Sequence, residues 1–140
     1  MYQDGAGKLE ECIIRDNEIE LEDGYIGVQI RKSDSTTVEN NKISGKAYYG
    51  FQISGMKDRG GIDLASYGNI FKENDLEKLV IKESDNYSDS NVNGYTFTGA
   101  EGKSKPAHIW INPYTSQNVI HLEAGQTVID EGKNTHITRL

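Results

Sequence analysis

This chain of 140 residues has a single cysteine, no apolar run near the length of a membrane span, no basic stripe and little hydrophobic residue for its size. Each shortage excludes something. One cysteine forms no internal disulfide. Cys12 shares parity with Ile14, so on a strand it faces the same way, and a buried core thiol is expected, since Glu10 and Glu11 beside it oppose a thiolate. The 15 Lys and Arg against 22 Asp and Glu give a net charge of −7, which disfavours nucleic acid and anionic membrane surfaces as partners. Only 35% of residues are hydrophobic and 26% are charged, so a wide globular core is not expected. Helical spacing is poor throughout. The start, Met1-Tyr2-Gln3-Asp4-Gly5, does not read as a signal peptide, and as it stands the chain is expected to stay soluble in the cytoplasm.

What is present is repetition. One pattern is a strand core with alternate apolar residues: Gly27-Val28-Gln29-Ile30, Gly50-Phe51-Gln52-Ile53, Lys78-Leu79-Val80-Ile81 and His108-Ile109-Trp110-Ile111. The other spaces apolar residues around a turn position: Ile14-Asn17-Ile19, Val38-Asn41-Ile43, Phe71-Asn74-Leu76 and Val92-Tyr95-Phe97. Asn17 and Asn41 stand 24 residues apart, Gly27 and Gly50 stand 23 apart, and Asn41 and Asn74 stand 33 apart, which implies an insertion around 55–67. Short alternating strands between Asn and Gly turns, at a period of about two dozen residues, suit one turn of a parallel β solenoid, in which no unit buries its apolar side alone. Like residues then stack on like. Val28, Phe51, Leu79 and Ile109 are expected in one inward column, Ile30, Ile53, Ile81 and Ile111 in the next, and Asn17, Asn41 and Asn74 in a turn ladder, because Asn tolerates the left-handed conformation. The expected fold is all-β: a single domain over 1–140, a parallel β-helix of about five coils, with a less regular end from about 113. A leucine-rich repeat has a similar period but lacks its consensus leucines here.

The segments GVQIRKSDSTTVENNKISG (27–45) and GIDLASYGNIFKENDLEK (61–78) resemble the repeats of right-handed parallel β-helix proteins, the pectin-lyase-like superfamily. They are most similar to its generic branch of NosD-like carbohydrate-binding and sugar-hydrolase repeats, over about residues 9 to 99. The resemblance implies a polysaccharide or oligosaccharide partner, and an extracellular or cell-surface setting if the chain is a fragment. The scaffold hosts many activities. The family's Asn-Thr-Asp, Asp-Asp, Gly-His-Gly and Arg-Ile-Lys elements and its Asp-Pro-His element do not occur in this chain. The nearest approach to lyase chemistry is Lys57-Asp58-Arg59 with Asp63, a mixed-charge loop in the insertion. The leading expectation is therefore a non-catalytic β-helix module that binds carbohydrate or works at a cell surface. The alternatives are a polysaccharide lyase, hydrolase or epimerase, and a structural segment of a tailspike-like assembly.

Outward positions alternate with the inward pairs. Gln29, Gln52 and Trp110, followed by Lys82 and Asn112, make a column of amide, aromatic and basic groups suited to sugar rings and hydroxyls, and these five are the candidate carbohydrate-binding residues. No cofactor is expected. One weak calcium site is considered at Asp89, Asn91 and Asn93, which match the first half of a calcium loop. The bidentate acid such a loop requires falls on Ala100, and the repeat offers a rival account in which these side chains point outward from an extended segment. His108, His121 and His136 lie too far apart for a metal motif, and His108 is expected at a strand edge or on the surface. Open solenoid ends expose strand edges. The expectation is therefore either that the segment is the C-terminal piece of a longer β-helix or that two copies meet end to end.

Overall fold

The computed structural model describes residues 8–58, 60–82, 90–92, 95–97 and 106–139. The chain winds through β1 (Leu9–Glu10), β2 (Ile13–Arg15) and β3 (Glu18–Arg31), then β4 (Ser33–Asp34), β5 (Thr37–Glu39) and β6 (Lys42–Ser54). A third pass holds β7 (Ser66–Tyr67), β8 (Ile70–Lys72) and β9 (Leu79–Ile81). A hairpin follows, β10 (Ser90–Val92) and β11 (Tyr95–Phe97), then β12 (Ala107–Ile111), β13 (Thr115–Ser116), β14 (Val119–Leu122), β15 (Val128–Asp130) and β16 (His136–Arg139). Three parallel sheets result. A short sheet runs β1-β4-β7-β13, a middle sheet β16-β14-β8-β5-β2, and a long sheet β15-β12-β6-β3 with β9 also on β6.

The registers build the core column by column. Ile14, Val38, Phe71 and Ile120 stack in the middle sheet, and Val28, Phe51, Ile109 and Val128 stack in the long one. The Phe51 and Phe71 rings meet across the narrow interior, 4.6 Å between centroids. Few residues are needed to fill so thin a space, which is why modest hydrophobicity suffices.

Four expectations are corrected. Leu79 pairs with Gly45 and Ile81 with Ala47, not with Phe51 and Ile53. The places beside Phe51 and Ile53 belong to Ile109 and Ile111. An alternation of period two fits either half of a strand as long as β6, so pattern alone does not fix where β9 lands. The segment 92–97 is no coil either: β10 and β11 pair antiparallel, Val92 opposite Tyr95. Cys12 is half-buried at a corner, its Sγ 3.6 Å from the Glu10 carbonyl. The stretch after 113 continues the stack, with Thr115 on Ser66, Val119 on Ile70 and Ile120 on Ile137.

The asparagine ladder forms, with a division of labour that the sequence hides. Asp16, Asn40 and Glu73 take the left-handed conformation, φ 59°, 52° and 54°. Asn17, Asn41 and Asn74, one step later, hold the coils together. Asn41 Nδ2 donates to Asn74 Oδ1 at 2.9 Å and to the Ile14 carbonyl at 3.0 Å, while its Oδ1 accepts from the Asn17 N–H at 3.1 Å and from Asn17 Nδ2 at 2.9 Å. A left-handed residue tightens each corner and the next amide meets the backbone groups the corner leaves free. At Gly45, φ 98°, a Cβ would stand 1.9 Å from the Leu21 carbonyl oxygen, so only glycine lets β3 and β6 close there.

Candidate functional site: the outer face of the long sheet

The chain leaves the stack twice, and both departures flank one stretch of the long sheet. One insertion starts where β6 ends, after Ser54, and closes with the Met56 N–H on the Leu64 carbonyl at 2.9 Å. The other lies between β9 and β12, and β12 pairs along residues 49–53 of β6. That stretch therefore runs from where β12 enters the stack to where β6 leaves it.

Gln29, Gln52, Trp110 and Ile129 occupy one column across it. Gln29 Nε2 donates to Gln52 Oε1. Gln52 is only 1% exposed, and its Nε2 is buried without a hydrogen-bond partner among the described residues. Exchanging the two ends of the amide would leave the other end unmet instead. Trp110 points away from the core, as alternation requires, yet it too is only 1% exposed. Its ring stacks on Tyr49 at 4.6 Å and 27°, its Nε1 donates to Glu131 Oε1 at 2.8 Å, and Ile26 and Ile129 pack around the pair. The expected open aromatic platform is thus a covered one. Tyr49 joins it because alternation slips beside Gly50: Ala47 and Phe51 face the core, and Tyr49 between them packs with Trp110. A Cβ at Gly50 would stand 2.9 Å from the His108 carbonyl oxygen, so glycine lets β6 and β12 lie this close.

Arg31 and Ser54 form the next column, and Asn112 follows them one residue past β12. The Asn112 N–H donates to the Ile53 carbonyl at 2.9 Å, and its Oδ1 is buried without a hydrogen-bond partner among the described residues. Gln52 and Asn112 are diagonal neighbours, roughly 8 Å apart from strand spacing and rise. An unmet donor and an unmet acceptor therefore share one face.

Lys82 stands elsewhere. Its N–H bonds the Ala47 carbonyl, its Nζ lies 2.6 Å from Asp23 and 4.1 Å above the Tyr48 ring, and Tyr48 contacts Tyr25 at 5.1 Å. The bond to Asp23, ahead of the opposing burial, holds the Lys82 ammonium above the usual lysine range, and the same bond holds Asp23 below the usual carboxylate range. The structure brings Gln29, Gln52, Trp110 and Asn112 together and leaves Lys82 on the neighbouring stretch, because the register of β9 differs from the one expected.

The remaining candidates divide. Asp63 accepts from the Ala65 N–H at 3.0 Å, the main cause of its lowered pKa, and faces Lys8 at 3.4 Å. Lys8 also reaches Asp34 at 2.8 Å, and these acids outweigh the burial that pulls its pKa down, so its net shift is upward. Asp63 thus fastens the insertion to the first coil. Arg59, Asp89 and Asn93 lie outside the described residues, and Asn91 lies in β10. Among the described residues no group of three or more His, Cys, Asp or Glu could hold a metal ion. His108 is half-buried, and burial lowers its pKa. Its Nδ1 accepts from the Thr127 N–H at 3.1 Å. From sequence Tyr49 is expected in a loop, rimming this face or packing at a coil corner, whereas it lies within β6. Sequence reasoning missed Glu131 and Thr127, which depend on the register of β15.

Residues 1–137 match a family model described as the right handed beta helix region. No curated protein and no solved structure gives a significant match.

Proposed function

The chain belongs to the right-handed beta helix family, and from that premise we propose that it is a non-catalytic β-helix module binding an oligosaccharide or polysaccharide on the outer face of its long sheet. One observation carries the reading. Gln52 Nε2 and Asn112 Oδ1, a donor and an acceptor on diagonal positions of adjacent coils, are buried without partners among the described residues. Buried polar groups are normally satisfied, and an unmet pair on an outer face points to a ligand or ordered water that both donates and accepts. Sugar hydroxyls do both. The neighbouring Trp110 and Tyr49 rings stack on each other and are covered, so they stiffen this face and present no open ring to a ligand.

The depth of Gln52 and Trp110 favours a second reading, a structural segment whose outer aromatics only brace the coils. A panel of neutral and acidic oligosaccharides, titrated against the intrinsic fluorescence of the one tryptophan, separates the two. Binding that weakens by about 1–2 kcal/mol in Gln52→Leu supports the saccharide reading. No response to any member of the panel leaves the structural one.

A further inference from the structure

One corner, between the short and middle sheets, has the same shape in every coil. An outward residue of the short sheet is followed by a left-handed residue, and the inward residue of the middle sheet comes four places after the first. The outward residues are Glu10, Asp34, Tyr67, Ser116 and Lys133, one column. The left-handed ones are Glu11, Ser35, Gly68, Gln117 and Asn134. The inward ones are Ile14, Val38, Phe71, Ile120 and Ile137, again one column.

The backbone repeats with them. The N–H of each left-handed residue donates to the next coil: Glu11 to the Asp34 carbonyl, Ser35 to Tyr67, Gly68 to Ser116 and Gln117 to Lys133. In return the Thr37, Ile70, Val119 and His136 N–H groups donate to the carbonyls of Cys12, Thr36, Asn69 and Asn118. Carried one step past each end, the series leaves the Asn134 N–H and the Thr135 carbonyl at the last corner, and the Glu10 carbonyl and the Ile13 N–H at the first. Donor and acceptor are thus reversed between the ends, while corner spacing and strand direction are the same.

The charges are opposed as well. Glu10, Glu11 and Asp16 are exposed at the first end, and Lys133, His136 and Arg139 at the last. Superposing the first corner of one copy on the last of another brings Glu10 beside Lys133, Ile14 onto Ile137, which is 37% exposed, and Asp16 beside Arg139, at a strand spacing of about 4.8 Å. Like ends would set acid on acid or base on base. The long sheet does not take part, because its inward column Ile30, Ile53 and Ile111 finishes on Asp130, whose Oδ1 accepts from the Gly132 N–H and Thr135 Oγ1.

We propose that copies of this chain stack head to tail, β1 and β2 of one continuing the Lys133 corner and β16 of the next. Such a contact uses two different patches and does not close on itself, so it builds an open row of copies. It is independent of the saccharide reading.

Sedimentation of the whole chain from about 10 μM to about 1 mM tests it. The expected result is a mean mass that rises with concentration past two copies and falls in about 1 M salt. Glu10→Lys and Lys133→Glu, at exposed positions without left-handed backbone, should each weaken association about tenfold, and an equimolar mixture of the two should restore it. A chain that stays monomeric throughout overturns the proposal, and so does a mass that levels off at two copies. Variants that associate like the wild type place the contact elsewhere, and a mixture that stays apart denies the pairing; either result overturns it too.

Discussion

Asn17, Asn41 and Asn74 make one amide column, at the corner between the middle and long sheets, and Gln29 and Gln52 make another on the outer face of the long sheet. The first is tied in at every level. In the second, Gln52 bonds Gln29 on one side and meets Trp110, which has no acceptor for it, on the other. The difference is geometric. At the corner a left-handed residue fixes the backbone, and the short asparagine side chain falls on the carbonyl of the coil below. On the face, glutamine's extra rotor and an aromatic neighbour leave one end unmet. Repetition thus yields stability where the backbone repeats, and it yields a site where the side chains stop repeating.

The largest effect should come from Asn41→Ala. That change removes the acceptor of the Asn17 N–H and the donor to the Ile14 carbonyl at a position 1% exposed, and chemical denaturation should show a loss of about 3–4 kcal/mol. Gln52→Leu, equally buried, should change stability by only about 1 kcal/mol in either direction, since it discards an unmet donor with one bond. Equal losses in the two variants would break the comparison.

A smaller effect concerns acid. The His108 pKa lies below its ordinary 6.5, so the unfolded chain binds the proton more tightly than the folded one. Its contribution to stability is complete above about 6.5 and declines as pH falls through and below that value, which urea midpoints over a pH series would register. Least of all should come from the Lys82–Asp23 pair. Asp23 is solvent-exposed, so Lys82→Met should leave the melting temperature nearly unchanged and should abolish whatever small salt dependence the pair confers.

The fold was legible because its determinants are local and repeated. Val28 and Phe51, Ile14 and Val38, and the three ladder asparagines announce their stacking through spacing alone. The face was half legible. Alternation put Gln29, Gln52 and Trp110 on one side, but it did not foresee that Trp110 would be covered, because Tyr49 reaches it where alternation slips and Glu131 through the register of a later strand. Lys82 was misplaced for a similar reason. The coil that follows β6 is made of two pieces separated by an excursion, and no short pattern records where a chain resumes. The antiparallel β10–β11 hairpin imitated a coil for just that reason, since it too alternates.

That interrupted coil makes β6 a single template read by two separate stretches of chain, β9 on its first half and β12 on its second. Residues up to 82 carry β1 to β9, and residues from 106 carry β12 to β16, whose partners on the other side of the gap are β6, β7 and β8. A chain severed between Lys82 and Pro106 would therefore yield two fragments with complementary edges and a register already written into both. Mixed, they should reassemble by strand addition, and the protein becomes a natural candidate for a split reporter whose halves recognise each other through the solenoid itself.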